Sequence, residues 1–540
     1  MAETKKQNYL HGAAILTFGV IIMKILGAIY KIPLGNILGD TGYGYFLAAY
    51  NIYNVMLTVS TAGLPVALSR LISEANELGR PNQARRTFRV AFITLFVLGA
   101  VLSLIMLLFP SEMAIILISK PESAQSVLAL APAVLLVCLA SAYRGYIQGN
   151  SNMTPTTVSQ VLEVLAKVVS GLILAWTFTK MGKSLPVRVG AATFGVTIGS
   201  AVALIYLFIA YKKNYAPSKA DKASDDVPDS AKKTLIRFLK IGIPITLGAS
   251  VMSLISLIDT KLVNSQLQAS AGLTKELADT LFGSYSKMQT LYNLPAAFIT
   301  PLTISVVPAI SAAVAHKKHD EACDIAQSSM RISAVLALPM GIGLSVLSYP
   351  IVHTLYSDTH EIGPTLLTLL GVASFFVCMA LIMNAILQAN GNEKYPVYSM
   401  IVGGVVKICV NWVLVGNPNI NIVGAPIGTI CCYFVMCVMN AIFIKKSLVK
   451  KPSYTKIIVR PLISSLVMGA GAWGVYGILS RVLSGGGDLG RIKMALAMLV
   501  AIGVAVIIYF VLIIATRAIT AEDMRLIPKG DKLAKLLRIK

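Results

Sequence analysis

Phe18 to Lys31 reads FGVIIMKILGAIYK, an apolar stretch with one lysine, Lys24, in its middle. The flanking residues extend it to about 8–32, long enough for a helix that crosses a bilayer. A charge inside such a span is costly and faces a cavity, a partner or a pathway rather than lipid. Lys31 follows seven residues later, two helical turns on and on the same face. Gly27 and Ala28 lie between the two lysines and leave that face uncrowded. The stretch therefore predicts a membrane helix with a basic stripe.

The whole chain has the matching composition. Of its 540 residues 56% are hydrophobic and 13% charged, and its mean hydropathy is +0.74. These values exclude a soluble globular protein and predict a polytopic one. The formal charge of +23 would suggest nucleic acid in a soluble protein. Here the basic residues fall in short loops between apolar runs, so they read as topology determinants, and no nucleic-acid partner is expected. The first apolar segment has no small-residue cleavage site and is expected to stay in place. The seven cysteines lack metal-type spacing and read as buried apolar residues.

Fourteen spans are predicted, at about 8–32, 43–72, 86–109, 126–148, 156–179, 188–211, 236–263, 281–312, 326–349, 364–388, 396–416, 422–444, 457–481 and 491–515. With the N-terminus in the cytoplasm, Lys and Arg favour cytoplasmic over exterior loops by roughly three to one, which places both termini in the cytoplasm. The polar segment KKNYAPSKADKASDDVPDSAKK, Lys212 to Lys233, reads as a linker between halves. RGYIQGNSN at 144–152 is echoed by NAILQANGN at 384–392, and Pro110 and Lys167 recur as Pro350 and Lys407, all at an offset of 240. YNIYN at 50–54 is similar to TLYNL at 290–294. The expected fold is all-α: two parallel six-helix repeats, related by an axis along the membrane normal, plus two C-terminal helices. The expected divisions are an N-lobe at 1–211, a cytoplasmic linker at 212–235, a C-lobe at 236–447, and at 448–540 the last two spans with a basic tail.

GAAILTFGVIIMKILGAIYKIPLGNILGDTGYGYF near the start, AAYNIYN and AGLPVALSRLISE in the second span, RGYIQGNSNMTPT and LQANGN, together with the 6 + 6 + 2 layout, carry a resemblance. The chain resembles the multidrug/oligosaccharidyl-lipid/polysaccharide (MOP) exporter superfamily in its polysaccharide-flippase branch. Within that branch it is similar to the stage V sporulation protein B-like proteins and the MurJ-type lipid II flippases. The resemblance implies a V-shaped molecule in a bacterial plasma membrane, with a central cavity lined by spans 1, 2, 7 and 8. It also implies a gate toward lipid between spans 1 and 8 and a groove along spans 13 and 14 for a lipid tail. Several cavity cations of the lipid II flippases are arginines. Lys24 occupies the matching place in span 1, while Tyr30 and Lys31 occupy the region of the family's second span 1 site.

The expected substrate is an undecaprenyl-pyrophosphate-linked saccharide, foremost peptidoglycan lipid II, moved from the inner to the outer leaflet by alternating access. Lysines in the cavity would replace phosphate hydration. The expected cavity residues are Lys24, Lys31, Asn51, Tyr53, Asn54, Asp259, Lys287, Gln289, Asn293 and Lys407, with Arg70 at the cytoplasmic entry. For Lys24 and Asp259 a static interhelical ion pair stands as the other reading. Ser250, Ser253, Ser256, Asp259 and Thr260 form a polar stripe on span 7 that faces a cavity or another helix. Ser286, Gln289 and Asn293, with Tyr285 and Tyr292 beside them, suit head-group contact. Lys167 has Glu163 four residues earlier and reads as a local ion pair. No cofactor or metal is expected; coupling to the membrane potential, H+ or Na+ stays open, as does a partnership with cell-wall synthesis machinery and a vegetative or sporulation role. The other readings are a flippase for another lipid-linked polysaccharide, a cation-coupled drug exporter and a non-transporting cell-wall scaffold or enzyme. Short exterior loops without clustered acids speak against an enzyme.

Overall fold

The computed structural model describes residues 9–215, 226–269, 273–448, 452–484, 490–516 and 518; the side chains of residues 9–18, Ile21, Lys24, Ala315 and Lys456 lie outside that description. The regular structure of the described residues is helical. Helix α1 runs from Tyr9 to Thr61 and is broken at Gly39, whose backbone sits at φ 71° and ψ −176°. That corner of conformational space is open essentially to glycine alone. Gly39 thus ends one arm and starts the next without a loop, and the thirty residues from Tyr9 to Leu38 span about 45 Å at 1.5 Å each. Among the described residues thirteen helical segments are long and apolar enough to cross a membrane, the first being Ile25–Glu77. The difference from the fourteen expected spans lies in this segment, which contains the Gly39 break.

The second arm of α1 stops at Thr61, and α2 (Leu64–Glu77) resumes after Gly63 with Pro65 in its first turn. Then come α3 (Pro81–Leu108), the short α4 (Pro110–Ile118), α5 (Ala124–Gly149), α6 (Thr154–Lys180), α7 (Leu185–Asn214) and α8 (Ala231–Ala269). Small residues allow α6 and α7 to close on each other: a Cβ on Gly195 would collide with the Gly171 backbone, and one on Gly199 with the Glu163 carbonyl. Residues 216–225 of the expected linker lie outside the described residues, but its last part is anchored. The Asp226 carboxylate accepts from the backbone N–H groups of Asn82 and Gln83, both at 3.0 Å, and so caps the N-terminus of α3. Arg80 donates to the Val227 carbonyl at 2.7 Å, and the Asp229 N–H donates to Gln83 Oε1 at 2.6 Å.

The second part of the chain forms α9 (Lys275–Tyr292), α10 (Leu294–Ala315), α11 (His319–Val346), α12 (Ser348–Leu355), α13 (Gly363–Ala389), α14 (Lys394–Val415), α15 (Gly424–Ser447), α16 (Tyr454–Ser484) and α17 (Arg491–Ala515). The offset of 240 has a geometric counterpart at the ends of α5 and α13. Ser151 N–H donates to the Gln148 carbonyl and Gly391 N–H to that of Gln388; Ser151 and Gly391 take φ of 60° and 76°. The same turn therefore ends the same helix in both repeats. By packing, the chain divides into Met1–Ser265 and Gln266–Lys540. The packing boundary thus falls within α8, whereas the sequence repeat places its division in the linker. In the second unit Ile310, Ala326, Met330, Ile382, Ile386 and Ile444 form a core, and a smaller cluster of Val335, Met468, Ala472, Ala505 and Ile513 holds α16 and α17 onto α11. Tyr509 secures that contact by donating to the Val335 carbonyl at 2.6 Å.

Gly39→Ala is expected to destabilise the folded chain by about 1–3 kcal/mol, the cost of forcing a side chain into this backbone corner. A lowered thermal midpoint of the purified protein in detergent checks it, and an unchanged midpoint would place the break elsewhere.

Candidate functional site

The first unit contains a polar seam between the second arm of α1, α2 and α8. Asn51 Nδ2 donates to Thr260 Oγ1 at 2.8 Å, and the hydroxyls of Thr58 and Ser253 share a hydrogen bond of 2.9 Å. Further along, a Cβ on Gly63 would run into the Gly242 carbonyl and Thr246, so the two backbones touch there. Arg237 grips both carboxylate oxygens of Glu74 at 2.7 and 2.8 Å at the linker end. The partners ascend in one helix as they descend in the other, as an antiparallel pair requires. At its far end α8 is latched again: Asn264 Nδ2 donates to the Ile118 carbonyl at 3.0 Å and Ser265 bonds Ser119 at 2.9 Å. The stripe of hydroxyls on span 7 therefore meets another helix through Ser253 and Thr260. Ser250 turns back to the Thr246 carbonyl, Ser256 is exposed, and Asp259 is buried and engaged with its surroundings.

A second polar cluster ties together α5, α6 and α7. Arg144 Nη2 meets Glu163 Oε2 at 2.8 Å, Arg144 Nε donates to Ser159 Oγ at 3.1 Å, and Ser200 Oγ donates to Glu163 Oε1 at 3.4 Å. The Arg144 and Glu163 side chains are 12% and 21% exposed. The expected Lys167–Glu163 pair is thus replaced: Glu163 turns to Arg144 on the neighbouring helix, and Lys167 Nζ lies 5.9 Å from the centre of the Tyr30 ring. Tyr30 is itself buried, packs edge-on against Phe46, and donates to the Ala192 carbonyl at 3.3 Å. Glu163 is better placed for a partner on α5 because the α6–α7 glycines draw it into the bundle. Arg144 was visible in the sequence as the start of the RGYIQGNSN repeat, but its type alone did not separate it from a loop cation.

The remaining expected site residues disperse. Lys24 is helical in α1, and its side chain lies outside the described residues. Lys31 and Lys407 are half-buried and engaged, Arg70 is exposed, and Tyr53 is buried beside Ser200. Asn54 is half-buried, and its carbonyl accepts from Thr58 at 2.7 Å. Lys287, expected to line a cavity, is fully buried and donates to the Asp358 carbonyl at 2.6 Å and Thr359 at 3.4 Å, 5.2 Å from the Tyr356 ring centre. It pins the loop between α12 and α13. Ser286 is buried and turns back to the Phe282 carbonyl, and Tyr285 is buried beside it, so the expected head-group face of α9 reduces to half-buried Gln289 and exposed Asn293. Asn293 breaks the span between α9 and α10 and donates to the Gln289 carbonyl at 2.7 Å. No group of three or more metal-ligating side chains occurs among the described residues.

Two stability measurements check these placements. Arg144→Met removes the charged partner of the largely buried Glu163 carboxylate and is expected to cost about 3–5 kcal/mol, most of it recovered in Arg144→Met/Glu163→Leu. Thermal unfolding of the two variants reads the difference, and equal losses would mean the pair is not what the charge of Arg144 serves. Lys287→Met is expected to cost about 1–3 kcal/mol by leaving a loop carbonyl without its charged donor. Its thermal midpoint should fall accordingly, whereas an unshifted midpoint would count against the loop-pinning role.

Sequence comparison matches residues 9–314 to the polysaccharide biosynthesis protein family and residues 244–413 to the MatE family. Among curated proteins, uncharacterized membrane protein YabM of Bacillus subtilis is 27% identical, covering 99% of this chain and 97% of that protein. Lipid II flippase MurJ of the same organism is 26% identical over 88% of each chain, and its stage V sporulation protein B is 24% identical over 97% and 98%. Among solved structures, the inward closed conformation of lipid II flippase MurJ superposes with a TM-score of 0.66 at 15% identity, covering 93% of this chain and 99% of that one. An inward-facing multidrug resistance MATE transporter of the MOP superfamily gives 0.63 at 16%, covering 80% and 98%. The relatives and folds whose names state an activity, MurJ and the MATE transporter, are a flippase and a transporter and not enzymes. With more than half its length matched, this multi-pass membrane protein belongs to the polysaccharide biosynthesis protein family.

Proposed function

We propose that the protein is a flippase that carries an undecaprenyl-pyrophosphate-linked saccharide, foremost peptidoglycan lipid II, from the inner to the outer leaflet of a bacterial plasma membrane. The observation that carries this reading is the pair α16 and α17. They stand outside the repeat, dock on α11 through Met468, Ala472 and Tyr509, and keep apolar side chains such as Trp473, Ile507 and Phe510 exposed. A transporter of small soluble compounds has no need of them, whereas a substrate with a long lipid tail needs an apolar track beside the transport path. The sequence relation to a lipid II flippase over 88% of both chains supports the same reading. The head group would pass a basic surface to which Lys24 and Lys31 contribute, the phosphate exchanging water for ammonium groups. An interior-negative potential favours outward passage of its negative charge, by roughly 2.3 kcal/mol per charge per 100 mV. A flippase for another lipid-linked sugar would use the same tail track with different sugar contacts.

Vesicles containing the full chain and a fluorescent lipid II should expose the inner-leaflet label to an external reagent, several-fold faster than protein-free vesicles. No acceleration with lipid II or any other lipid-linked sugar would sink the flippase reading, and acceleration with another sugar alone would reassign the substrate. Alternating access also requires the seam to move. Thr58→Cys/Ser253→Cys, oxidised to a cross-link, is expected to stop label movement and to regain it on reduction, with the native chain in the same oxidant as control.

A further inference from the structure

One face of the first unit lacks the cover that its counterpart in the second unit has. There α16 begins on a surface made by α11, α13 and α15: Ile457 is buried in one cluster with Ala326, Met383, Ile386 and Ile444, and Tyr454 donates to the Ala441 carbonyl at 2.9 Å. The end of α15 reads IKKSL at 444–448 and that of α7 YKKNY at 211–215, so the two ends correspond at an offset of 233, while α11 and α13 stand for α3 and α5 at 240. Lys445 Nζ lies 5.4 Å from the centre of the covering Tyr454 ring; Lys212 Nζ lies 4.6 Å from that of Phe208 on its own helix. Among the described residues α3, α5 and α7 pack against one another and against α1, α2, α4 and α6, all inside the repeat. No helix from outside the repeat takes the place of α16 there. The sequence that follows α7, APSKADKASD at 216–225, carries no aromatic or large aliphatic side chain to act as Ile457 does.

The residues on the two faces differ in kind. Under α16 the second unit has Ala326, Ser328 and Ser329, all buried; the first unit has Arg86, Phe88 and Arg89 at those positions, with Arg89 exposed. Buried Ile444 and Leu448 correspond to half-buried Tyr211 and Tyr215. The Phe88 ring centre lies 4.7 Å from that of Tyr146 and 5.2 Å from that of Tyr211, so aromatic rings pave the face from α3 across α5 to α7. Arg85, one turn before Arg89 and beside Tyr211, has a buried Nη2 with no hydrogen-bond partner among the described residues. A buried donor left unanswered by its own chain is costly and calls for an acceptor from outside. The Asp226 carboxylate at the start of α3 is already taken up by the Asn82 and Gln83 N–H groups, and among the described residues no acid pairs with Arg85, Arg86 or Arg89. Helix α3 has 28 residues, about 42 Å, against a hydrocarbon layer of about 30 Å, which puts its first turns at head-group depth. A second helix seated as α16 is would bury Arg86 and Arg89 without an acid to answer them. A phospholipid brings the anion with it, since its phosphate oxygens suit guanidinium and ammonium donors and its chains suit the rings.

We propose that this face of α3, α5 and α7 is a docking site for an anionic phospholipid, whose phosphate meets Arg85 with Arg89 and Lys212 at the rim, in place of the helix that covers the matching face of the second unit. The site is independent of any lipid movement by the protein. The experiment titrates the full chain in non-ionic detergent with phosphatidylglycerol or phosphatidylcholine and reads the retained lipid by native mass spectrometry. The native chain should hold one phosphatidylglycerol about tenfold or more tighter than phosphatidylcholine, and equal retention of the two overturns the proposal. At about fivefold per cation near a head group, Arg85→Gln/Arg89→Gln should weaken the phosphatidylglycerol by about tenfold or more and leave phosphatidylcholine unchanged. Lys180→Gln/Lys183→Gln, which removes as much charge at the other end of the bundle, should weaken neither. An Arg85→Gln/Arg89→Gln chain that keeps its affinity overturns the site. Displacement of the lipid by millimolar inorganic phosphate would reduce it to a bare anion site, and a dimer that the same variant abolishes, with no lipid retained, would give the face to a helix of a second copy; either outcome overturns the lipid assignment. Should the double variant fail to fold, Arg89→Gln and Lys212→Gln, both at exposed positions, are read singly. Each should weaken phosphatidylglycerol by about threefold or more, and unchanged affinity in both overturns the proposal.

Discussion

Inside a bilayer a polar or charged side chain has no water to answer it, so each must be answered by a group on the chain itself. This constraint organises the first unit. Arg144 answers Glu163, Thr260 answers Asn51, and Asn264 reaches the free carbonyl at the end of α4. Each answer fixes which helix lies beside which, and at what depth. The apolar surfaces supply most of the buried area, but they would fit many registers; the polar groups select one. The glycines act with them, since Gly195 and Gly199 let α6 and α7 approach until Glu163 is carried within reach of both α5 and α7.

The class of fold was legible because its signals are local and repeated. Apolar runs of bilayer length and the short loops between them follow from composition along the chain. The echo of RGYIQGNSN in NAILQANGN survives as the same left-handed turn at Ser151 and Gly391, because that turn depends on a few consecutive residues. The corner at Gly39 escaped notice for the opposite reason. A single glycine between two apolar runs does not announce that it alone will break the helix, where a longer loop is usual. The candidate site was less legible, since it depends on which side chains meet. Lys167 and Glu163 are four residues apart, and helical spacing alone pairs them; only the placement of α5 shows that an arginine nineteen residues upstream claims the carboxylate. Lys287 is similar. Its sequence neighbours give no hint of the Asp358 carbonyl, which lies across a loop seventy-one residues away.

The two repeats also show how a duplicated bundle can diverge without losing its frame. Asn384 in place of Arg144, and Gly403 in place of Glu163, change two residues together, and the sum of charge at the pair is the same before and after. Changing either alone would leave a buried charge unanswered, at a cost of several kcal/mol. The chain therefore keeps the pair whole in one unit and absent in the other. Lys167 and Lys407 persist in both, which points to a separate demand on the α6 and α14 lysines, met in the first unit by the Tyr30 ring.

The seam between α1, α2 and α8 has a strength suited to being broken. Hydrogen bonds between membrane helices contribute about 0.6 kcal/mol each on average, and an exposed ion pair such as Glu74–Arg237 about 0–1 kcal/mol. Two side-chain bonds, one backbone contact at Gly63 and one ion pair sum to a few kcal/mol along the whole interface. A ligand shifts a two-state equilibrium from one side to the other with a difference in affinity of about 5.5 kcal/mol. The seam lies below that figure, so in the proposed transport cycle a ligand that prefers the other arrangement would suffice to open it. A continuous apolar interface of the same length, interlocked like the α6–α7 pair, would exceed it and lock the helices. The hydroxyls and amides of α8 thus give the weakness that the proposed cycle would need and the specificity to return to one register.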